Sequence, residues 1–501
     1  MKLSPNAVAK PKFEEIDRRQ LFWTAIDPEN LIPEGHAARA ICALVDRLDL
    51  RAFEAGVRSW EGGAGRPGKK PQLLASVWIY GYSLGVASAR ALSRMMAWEP
   101  GLRWLSGLEE ISYHTLSDFR VGHEEALKQL FAQVLAVLAG EGMVELRVVM
   151  QDGTKVVAQA GKGSFHGRQT IEARLAEARA YVEELDRQAS REGCEPQEER
   201  LRAARRRAAR ERQERLEEAL MELERREPQA APQERSKLRV SVSEPEARKL
   251  KQNDGGWLPS YNVQFNTDAK EKVIVGVRVV QAAADVEQLR PGLEEVERNL
   301  GRKPECVVAD GGYASRENVL EMAEQQVDLV TPWKDEAARQ AGALKVNGIG
   351  EEFAGSTFRW EAEGNCFVCR AGRRLEKVGE RKHHGCKREV FAARAQDCAG
   401  CEWKQACCGR SGKPRRLERV VETAAMRAYL ERMQQPQTQA LYQRRKEVAE
   451  TPQMRMKANW KWRKFSVRGL VKAAHEAIWL ALAFNVQQWT RLRWRPALAV
   501  A

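Results

Sequence analysis

No run of apolar residues in this chain is long enough to cross a bilayer. A spanning helix needs roughly 18–20 such residues, and the best stretch, Ala477 to Phe484, stops far short. The first residues, Met1 to Arg19, lack the apolar core of an export signal, so secretion is not expected. A phosphate-binding loop is missing too. Gly63 and the pair Gly68-Lys69 stand at its spacing, but Lys70 occupies the position that needs Ser or Thr, and no strand precedes it. The stretch Gly62–Pro71 therefore reads as a flexible basic linker. Acidic residues are in the minority: 69 Asp and Glu face 83 Lys and Arg, a formal net charge of +14. That excess favours a polyanionic partner, because each cation set on a phosphate releases a condensed counterion. The expectation is a cytoplasmic, membrane-independent, multidomain protein that faces nucleic acid.

At 501 residues, 43% of them hydrophobic, the chain exceeds one ordinary core. Residues 1–143 read as an N-terminal all-helical domain, with apolar positions at helical spacing in Ala37–Leu48, Leu73–Tyr82 and Leu127–Leu138. Ser112 to Arg120 reads as a capped turn entering a further helix, with Thr115 or Ser117 as N-cap. Such a domain can present a helix to a DNA groove, although plain helical packing gives the same pattern. DNA binding is the expectation for it.

Residues 144–168 open a different pattern. Leu146–Met150 is a short β run leading into Asp152, which closes that strand. Then Ile171, Leu175, Ala178, Val182, Leu185 and Ala189 alternate steps of four and three, the seam of a coiled coil. A turn at Gly193–Pro196 leads to a second, Arg/Glu-dense helix with Leu216, Leu220 and Leu223 on one stripe. Residues 169–235 thus read as an inserted antiparallel helical hairpin whose charges form a solvated face. In residues 236–355, Tyr261–Asn266 and Lys272–Val280 are strand-like, Asp285–Leu300 is helical, and Glu305–Ala309 is a β run ending at Asp310. Ser315–Gln325 is helical again and Val327–Thr331 is one more strand. Without the hairpin, the order up to the last helical stretch is β-β-β-α-β-α-β-α. That is the mixed sheet of an α/β ribonuclease-H-like core. A cysteine-rich module at 356–412 interrupts it before the helical stretch 413–501, which carries Glu450 and a basic tail.

In such a core the ends of the first and fourth strands lie side by side. Asp152 and Asp310 there could share a divalent ion, and a carboxylate from a following helix would complete the site. Two Mg²⁺ or Mn²⁺ ions roughly 3.5–4 Å apart could then activate an attacking oxygen and stabilise a leaving one at phosphorus. Hard oxygen ligands suit these ions better than a softer metal. An Asp at a strand end is often only a turn or cap residue. Two of them, each after an apolar β run at matching positions of one fold, say more.

Met150-Gln-Asp-Gly-Thr-Lys155, Ala309-Asp-Gly-Gly-Tyr313 and Tyr442 to Glu450 with Lys457 resemble the Asp-Asp-Glu transposases of bacterial insertion sequences. The last piece is similar to the Tyr-Arg-Glu-Lys signature of one large branch. Arg66-Pro67 and the Tyr80-Gly-Tyr…Gly85 stretch resemble the N-terminal domain of those enzymes. The resemblance implies that Asp152, Asp310 and Glu450 bind the catalytic metals, and that Tyr442, Arg445 and Lys457 hold phosphates of the transposon end. It further implies terminal inverted repeats and target DNA as partners, hydrolysis and 3′-hydroxyl transfer as the reaction, and a homodimer on DNA. Glu447 is the rival for the third carboxylate. Pro452 makes trouble for an unbroken helix, unless Thr451-Pro452 caps a fresh one. In a continuous helix Glu450 and Lys457 share a face and Glu447 points elsewhere.

Of the 10 cysteines, seven fall between Cys366 and Cys408, which in an unexported protein suggests metal ligation before disulfides. Cys366-x-x-Cys369 and Cys398-x-x-Cys401, with Cys407 and Cys408 behind, suit a structural zinc site of four thiolates. The resemblance maps the ligands onto Cys369, Cys398, Cys401 and Cys407, with Cys366 as the alternate and His383, His384 and Cys386 as weaker candidates. Finally, Trp460, Lys461, Trp462, Arg463, Lys464, Phe465 and Arg468 interleave cations with aromatics. That pattern suits a surface that tracks a phosphate backbone and stacks an unpaired base, or an amphipathic stretch that buries its tryptophans. DNA contact by Trp460, Lys461, Arg463 and Lys464 is the expectation. Two other readings stay open: a nuclease of the same fold without strand transfer, and a non-catalytic zinc-containing DNA-binding regulator.

Overall fold

The structure, a computed structural model, describes residues 25–57, 67–189, 196–252, 254–333, 344–383, 386–421 and 423–499. Among the described residues six α-helices come first: Ala37–Val45, Pro71–Ser83, Ala89–Met95, Pro100–Ser106, Tyr113–Val121 and Glu124–Gly140. Pro71 and Pro100 take first helical positions, where the missing N–H costs nothing. Pro71–Ser83 is apolar on nearly every side and buries Trp78, Ile79 and Tyr82, so it forms the centre of this layer. The cap before Arg120 is Ser112, whose hydroxyl accepts from the His114 N–H at 3.3 Å. Thr115 and Ser117, the expected caps, lie inside that helix. Residues 58–66, which include the first half of the expected basic linker, fall outside the described residues.

The strands follow. β1 (Val148–Val157) is the axis of the main sheet. β2 (Phe165–His166) and β3 (Val240–Ser241) pair only with each other. β4 (Arg248–Lys251), β5 (Trp257–Asp268), β6 (Ile274–Val280), β7 (Cys306–Ala309) and β8 (Asp328–Val330) complete the sheet. β5 runs antiparallel to β1, and on its other edge it pairs first with β4 and then with β6. β7 lies parallel to β1 and β8 parallel to β7. The spatial order β6-β5-β1-β7-β8, with helices Leu289–Leu300 and Arg316–Glu324 between the later strands, is the mixed arrangement expected from the sequence. One boundary differs. β1 does not close at Asp152 but continues for five residues, because Gly153–Val157 ladder onto Gln264–Ser260 of β5.

Among the described residues between β2 and β3 stand two long helices, Arg168–Ala189 and Pro196–Arg226, and a short one, Pro232–Arg235. Ile171, Leu175 and Ala178 pack on Leu216, Ala219 and Leu223, and exposed pairs such as Arg179–Glu217 at 2.8 Å and Arg210–Asp186 at 3.0 Å cross between them. The expected turn falls largely in 190–195, outside the described residues. The cysteine-rich region is an antiparallel sheet of β9 (Arg359–Glu361), β10 (Cys366–Val368), β11 (Arg374–His383), β12 (Cys386–Ala393) and β13 (Arg416–Val420) around Phe358, Leu375, Phe391 and Leu417. Leu417 therefore belongs to a strand, and the final helices begin at Ala424 rather than at residue 413.

The apolar run Ala477–Phe484 lies in the helix Leu470–Trp489, buried between the Pro71–Ser83 helix and β6 in one shared core. Its Asn485 side chain bonds both the N–H and the C=O of Ile274, each at 2.8 Å, which covers part of edge strand β6. No helix among the described residues is long and apolar enough to cross a membrane.

Candidate active site

The parallel ladder between β1 and β7 ends with Gln151 opposite Ala309. Asp152 and Asp310 come next in each chain direction and so lie side by side. Beyond Ala309 the chain turns sharply: Gly312 N–H donates to Asp310 Oδ1 at 2.7 Å, and the Tyr313 N–H to its carbonyl at 3.1 Å. A Cβ on Gly312 would sit 2.8 Å from that carboxylate oxygen, so any larger residue would push the Asp310 side chain aside. The Thr331 hydroxyl, just past β8, donates to the Asp310 carbonyl at 2.6 Å and fixes the turn from the other side.

Asp152 is largely buried. Its Oδ1 accepts from Gly153 N–H at 3.0 Å, its Oδ2 from the Gln453 amide at 3.1 Å, and the Arg445 guanidinium stands 3.5 Å from Oδ2. Burial, resisted by Arg445 and reinforced by the like charge of Asp310, pushes this carboxyl up to about 6. Lys457 lies close by, its ammonium donating to the Thr154 hydroxyl and, at 3.3 Å, to the Lys155 carbonyl. Burial holds that ammonium below its usual range, with Asp152 pulling the other way.

Arg445, Gln453 and Lys457 all come from one segment. The helix Arg445–Met454 runs unbroken through Pro452, so the expected break there does not occur. The Thr451 hydroxyl donates to the Glu447 carbonyl, and from Arg455 to Asn459 the helix widens into a π-helical turn closed by Trp460 N–H on the Arg455 carbonyl at 3.2 Å. Relaxing the hydrogen-bond ladder next to proline is a common accommodation. Glu450 sits one turn before Gln453 and two before Lys457, on the same flank, and is exposed. Glu447 points away and pairs with Lys272 at 2.8 Å. Among the described residues no three His, Cys, Asp or Glu side chains gather closely enough to hold a metal ion. The structure thus brings Asp152 and Asp310 together and leaves Glu450 outside the pair.

Behind β1 lies a polar network that sequence reasoning missed. Asn262 and Gln264 both donate to Asp285 Oδ1 at 2.7 Å, Asn266 donates to Gln151 at 3.2 Å, and the Tyr313 hydroxyl donates to Gln264. Asn262, Gln264 and Asn266 are every second residue of the buried stretch of β5 from Pro259 to Asp268, and that alternation was the available signal. Gly153 fits against this network because it has no side chain: a Cβ would fall 2.4 Å from Gln264 Nε2 and 2.6 Å from Asp285 Oδ1. Gly153→Ala is therefore expected to destabilise the fold by about 1–3 kcal/mol and to displace Asp152. Urea denaturation together with a cleavage assay would check both, and a stable, fully active variant would contradict it.

Residues 222–486, more than half of the chain, match the family described as Transposase DDE domain. The chain belongs to the DDE transposase family. Residues 26–122 of this transposase also match the family described as Transposase domain (DUF772), which supports an enzyme of the insertion-sequence kind. Asp310 and Glu450 fall inside the longer match, and Asp152 lies before it. No curated protein matches the chain.

The remaining expected site residues of the transposase divide. Tyr442 packs half-buried against the Met150–Val448–Ala449 cluster, its ring 6.0 Å from the Arg445 guanidinium. Arg445 itself turns inward to Asp152 rather than outward. Trp460, Trp462 and Phe465 are buried in the main core, so Trp460 offers no face to a base, contrary to expectation. Gly85, at φ +76°, lets the Trp460 backbone pass so closely that a Cβ would sit 3.0 Å from its Cα. Lys461, Arg463 and Lys464 alternate outward and are exposed, held along β1 by the Val157 N–H on the Arg463 carbonyl at 3.1 Å and the Phe465 N–H on the Val157 carbonyl at 2.9 Å.

The zinc centre expected at Cys369, Cys398, Cys401 and Cys407 is not supported, since among the described residues no three or more ligating side chains gather to hold a metal. Cys369, Cys398 and Cys407 instead pack as small apolar side chains against the Phe358–Leu375–Phe391 core. Cys366, the alternate, is buried in β10 beside Glu361. Burial, then the neighbouring Cys408, pushes the Cys407 thiol up to about 12, and the Cys408 thiol contacts Cys398. His384, and the side chains of His383 and Cys386, lie outside the described residues.

Proposed function

We propose that this transposase cleaves the phosphodiesters at its element's terminal inverted repeats and joins the freed 3′-hydroxyls to target DNA, using Asp152, Asp310 and Glu450. The observation that carries this reading is the pairing of Asp152 and Asp310 at the end of the β1–β7 ladder. Two adjacent carboxylates, one buried and pushed up in part by the other, are a donor set that a hard divalent cation stabilises. DDE transposases generally use divalent metal ions, and Mg²⁺ or Mn²⁺ held here supplies activation of the attacking oxygen and stabilisation of the leaving one.

The protein's own side chains do the positioning. Arg445 and Gln453 fix the Asp152 carboxylate, and Lys457 offers an ammonium beside it for a phosphate. Glu450 completes the set by turning in from the flank it shares with Gln453. Together Tyr442, Arg445, Glu450 and Lys457 support assignment to the Tyr-Arg-Glu-Lys branch. Lys461, Arg463 and Lys464 extend the cationic surface along which a strand would lie. The helical pair reads as an insertion, because β2 and β3 on either side of it close on each other. The N-terminal helical domain is assigned to DNA binding, and the working unit to a homodimer on paired ends.

The test is cleavage, in Mg²⁺, of a duplex carrying the element's terminal repeat. Glu450→Gln should lower the rate at least about 100-fold, whereas Glu447→Gln, which breaks only an exposed pair with Lys272, should leave it within about twofold. The reverse ranking would move the third carboxylate to Glu447. Cleavage by the wild-type chain without joining would reduce the protein to a nuclease.

A further inference from the structure

The π-helical turn Arg455–Asn459 has a second side. Lys457 leaves it toward β1, while Arg455 leaves it toward Arg491, on a similar wide turn at Thr490–Trp494 that ends the Leu470–Trp489 helix. The two guanidiniums line a cleft of about 470 Å³ and reach into a smaller one of about 200 Å³, where Arg495 joins them. The other charges of the larger cleft are engaged elsewhere. Lys270 pairs with Glu145 at 2.5 Å, Lys272 with Glu447 at 2.8 Å, and Glu271 with Arg493 at 3.8 Å. No carboxylate among the described residues pairs with Arg455 or Arg491; Arg491 reaches only the Gln488 amide oxygen, at 3.4 Å. Burial and the neighbouring Arg491 both hold the half-buried Arg455 guanidinium below its usual range.

Two like charges that face one cleft without a counter-ion repel each other, and an anion between them removes that cost. Guanidinium forks match the paired oxygens of a phosphodiester. We propose that the Arg455–Arg491 cleft binds a phosphate of the DNA backbone, separately from the carboxylates and on the opposite side of the same turn. This deepens the transposase reading and rests on it. It gives the segment that carries Gln453 and Lys457 a DNA anchor on each side.

The probe is a fluorescein-labelled duplex of arbitrary sequence, titrated with the full-length protein over a range of NaCl concentrations. Arg455→Gln/Arg491→Gln should weaken binding several-fold and reduce the slope of log K against log[NaCl] by about 1, since each phosphate contact contributes roughly 0.9. Arg455→Lys/Arg491→Lys, which keeps the charge, should retain most of the slope. Arg491 is exposed, so Arg491→Gln alone does not threaten folding; it should reduce the slope by about 1. An unchanged slope in Arg491→Gln overturns the proposal. If the wild-type protein fails to bind the duplex at all, the DNA reading itself fails, and the two failures are distinct.

Discussion

Asp152→Asn is expected to abolish Mg²⁺-dependent cleavage and joining, by at least about 10³-fold, while leaving DNA binding intact and the fold more stable at pH 8. The two halves of this result have one cause. Asp152 is buried beside Asp310, and its carboxyl is pushed up to about 6, against about 3.9 for an unfolded chain. The folded state therefore binds the proton more tightly than the unfolded one does. The penalty is fully present above the folded value, fades as pH falls from about 6 to about 4, and is absent below both. Two units correspond to about 3 kcal/mol at most, and losing the Arg445 contact in the variant takes back part of it. A net gain of about 1–2 kcal/mol at pH 8, shrinking toward zero near pH 4, is the expected outcome. Urea denaturation in chelator at both pH values reads it directly. A variant that is inactive and also less stable at pH 8 would mean that Arg445 outweighs burial, and that Asp152 is a structural ion pair before it is a ligand.

The carboxylate pair was legible because each Asp follows an apolar β run, and strand order alone sets those runs side by side. The length of β1 was not. The apolar signal stops at Met150, whereas the residues after Asp152 are held by a ladder to β5 about a hundred positions away, which local pattern does not carry. Pro452 misled for a related reason: its local rule was outweighed by Val448, Ala449 and Pro452 packing into the core and by the widened turn after it. The tail from Trp460 to Phe465 alternates aromatic and cation nearly residue by residue, which is the period of an extended chain with one buried side. Its aromatics went to that side. In the cysteine region the Cys-x-x-Cys spacing pointed to a metal, and the charged alternation of β11 and β12 hid a sheet that uses the thiols as packing. Gln453 carries no motif, and only the helix geometry brings it to Asp152.

The tail's cations depend on a buried joint, and Glu476→Leu should undo it. Glu476 lies fully buried in the helix Leu470–Trp489, accepting from Trp462 Nε1 at 3.1 Å, from the Ser466 N–H at 3.0 Å, and from the Ser466 hydroxyl. Burial first, then these hydrogen bonds and Arg120 in the opposite sense, set its carboxyl above the usual range. Arg120 comes from the N-terminal helices, donates to Ser466 Oγ at 2.9 Å and to the Ala87 carbonyl, and lies over Trp78 at 4.7 Å. One cluster thus ties together the N-terminal layer, the tail and the central helix. Removing either charge leaves the other buried and unmatched, so Glu476→Leu and Arg120→Leu should each cost about 3–5 kcal/mol. The double variant should cost less than their sum, since the second change removes a charge the first had stranded. Glu476→Gln keeps the shape and one of the two acceptor oxygens but not the charge, so it should cost less than Glu476→Leu, about 1–3 kcal/mol. Urea midpoints of the four chains measure this coupling. Single losses below about 1 kcal/mol, or strict additivity, would show that the two groups do not act as a pair. Where Glu476→Leu stays folded, freeing Trp462 and Ser466 should also loosen Lys461, Arg463 and Lys464. Its DNA affinity should then fall although none of those cations has been changed.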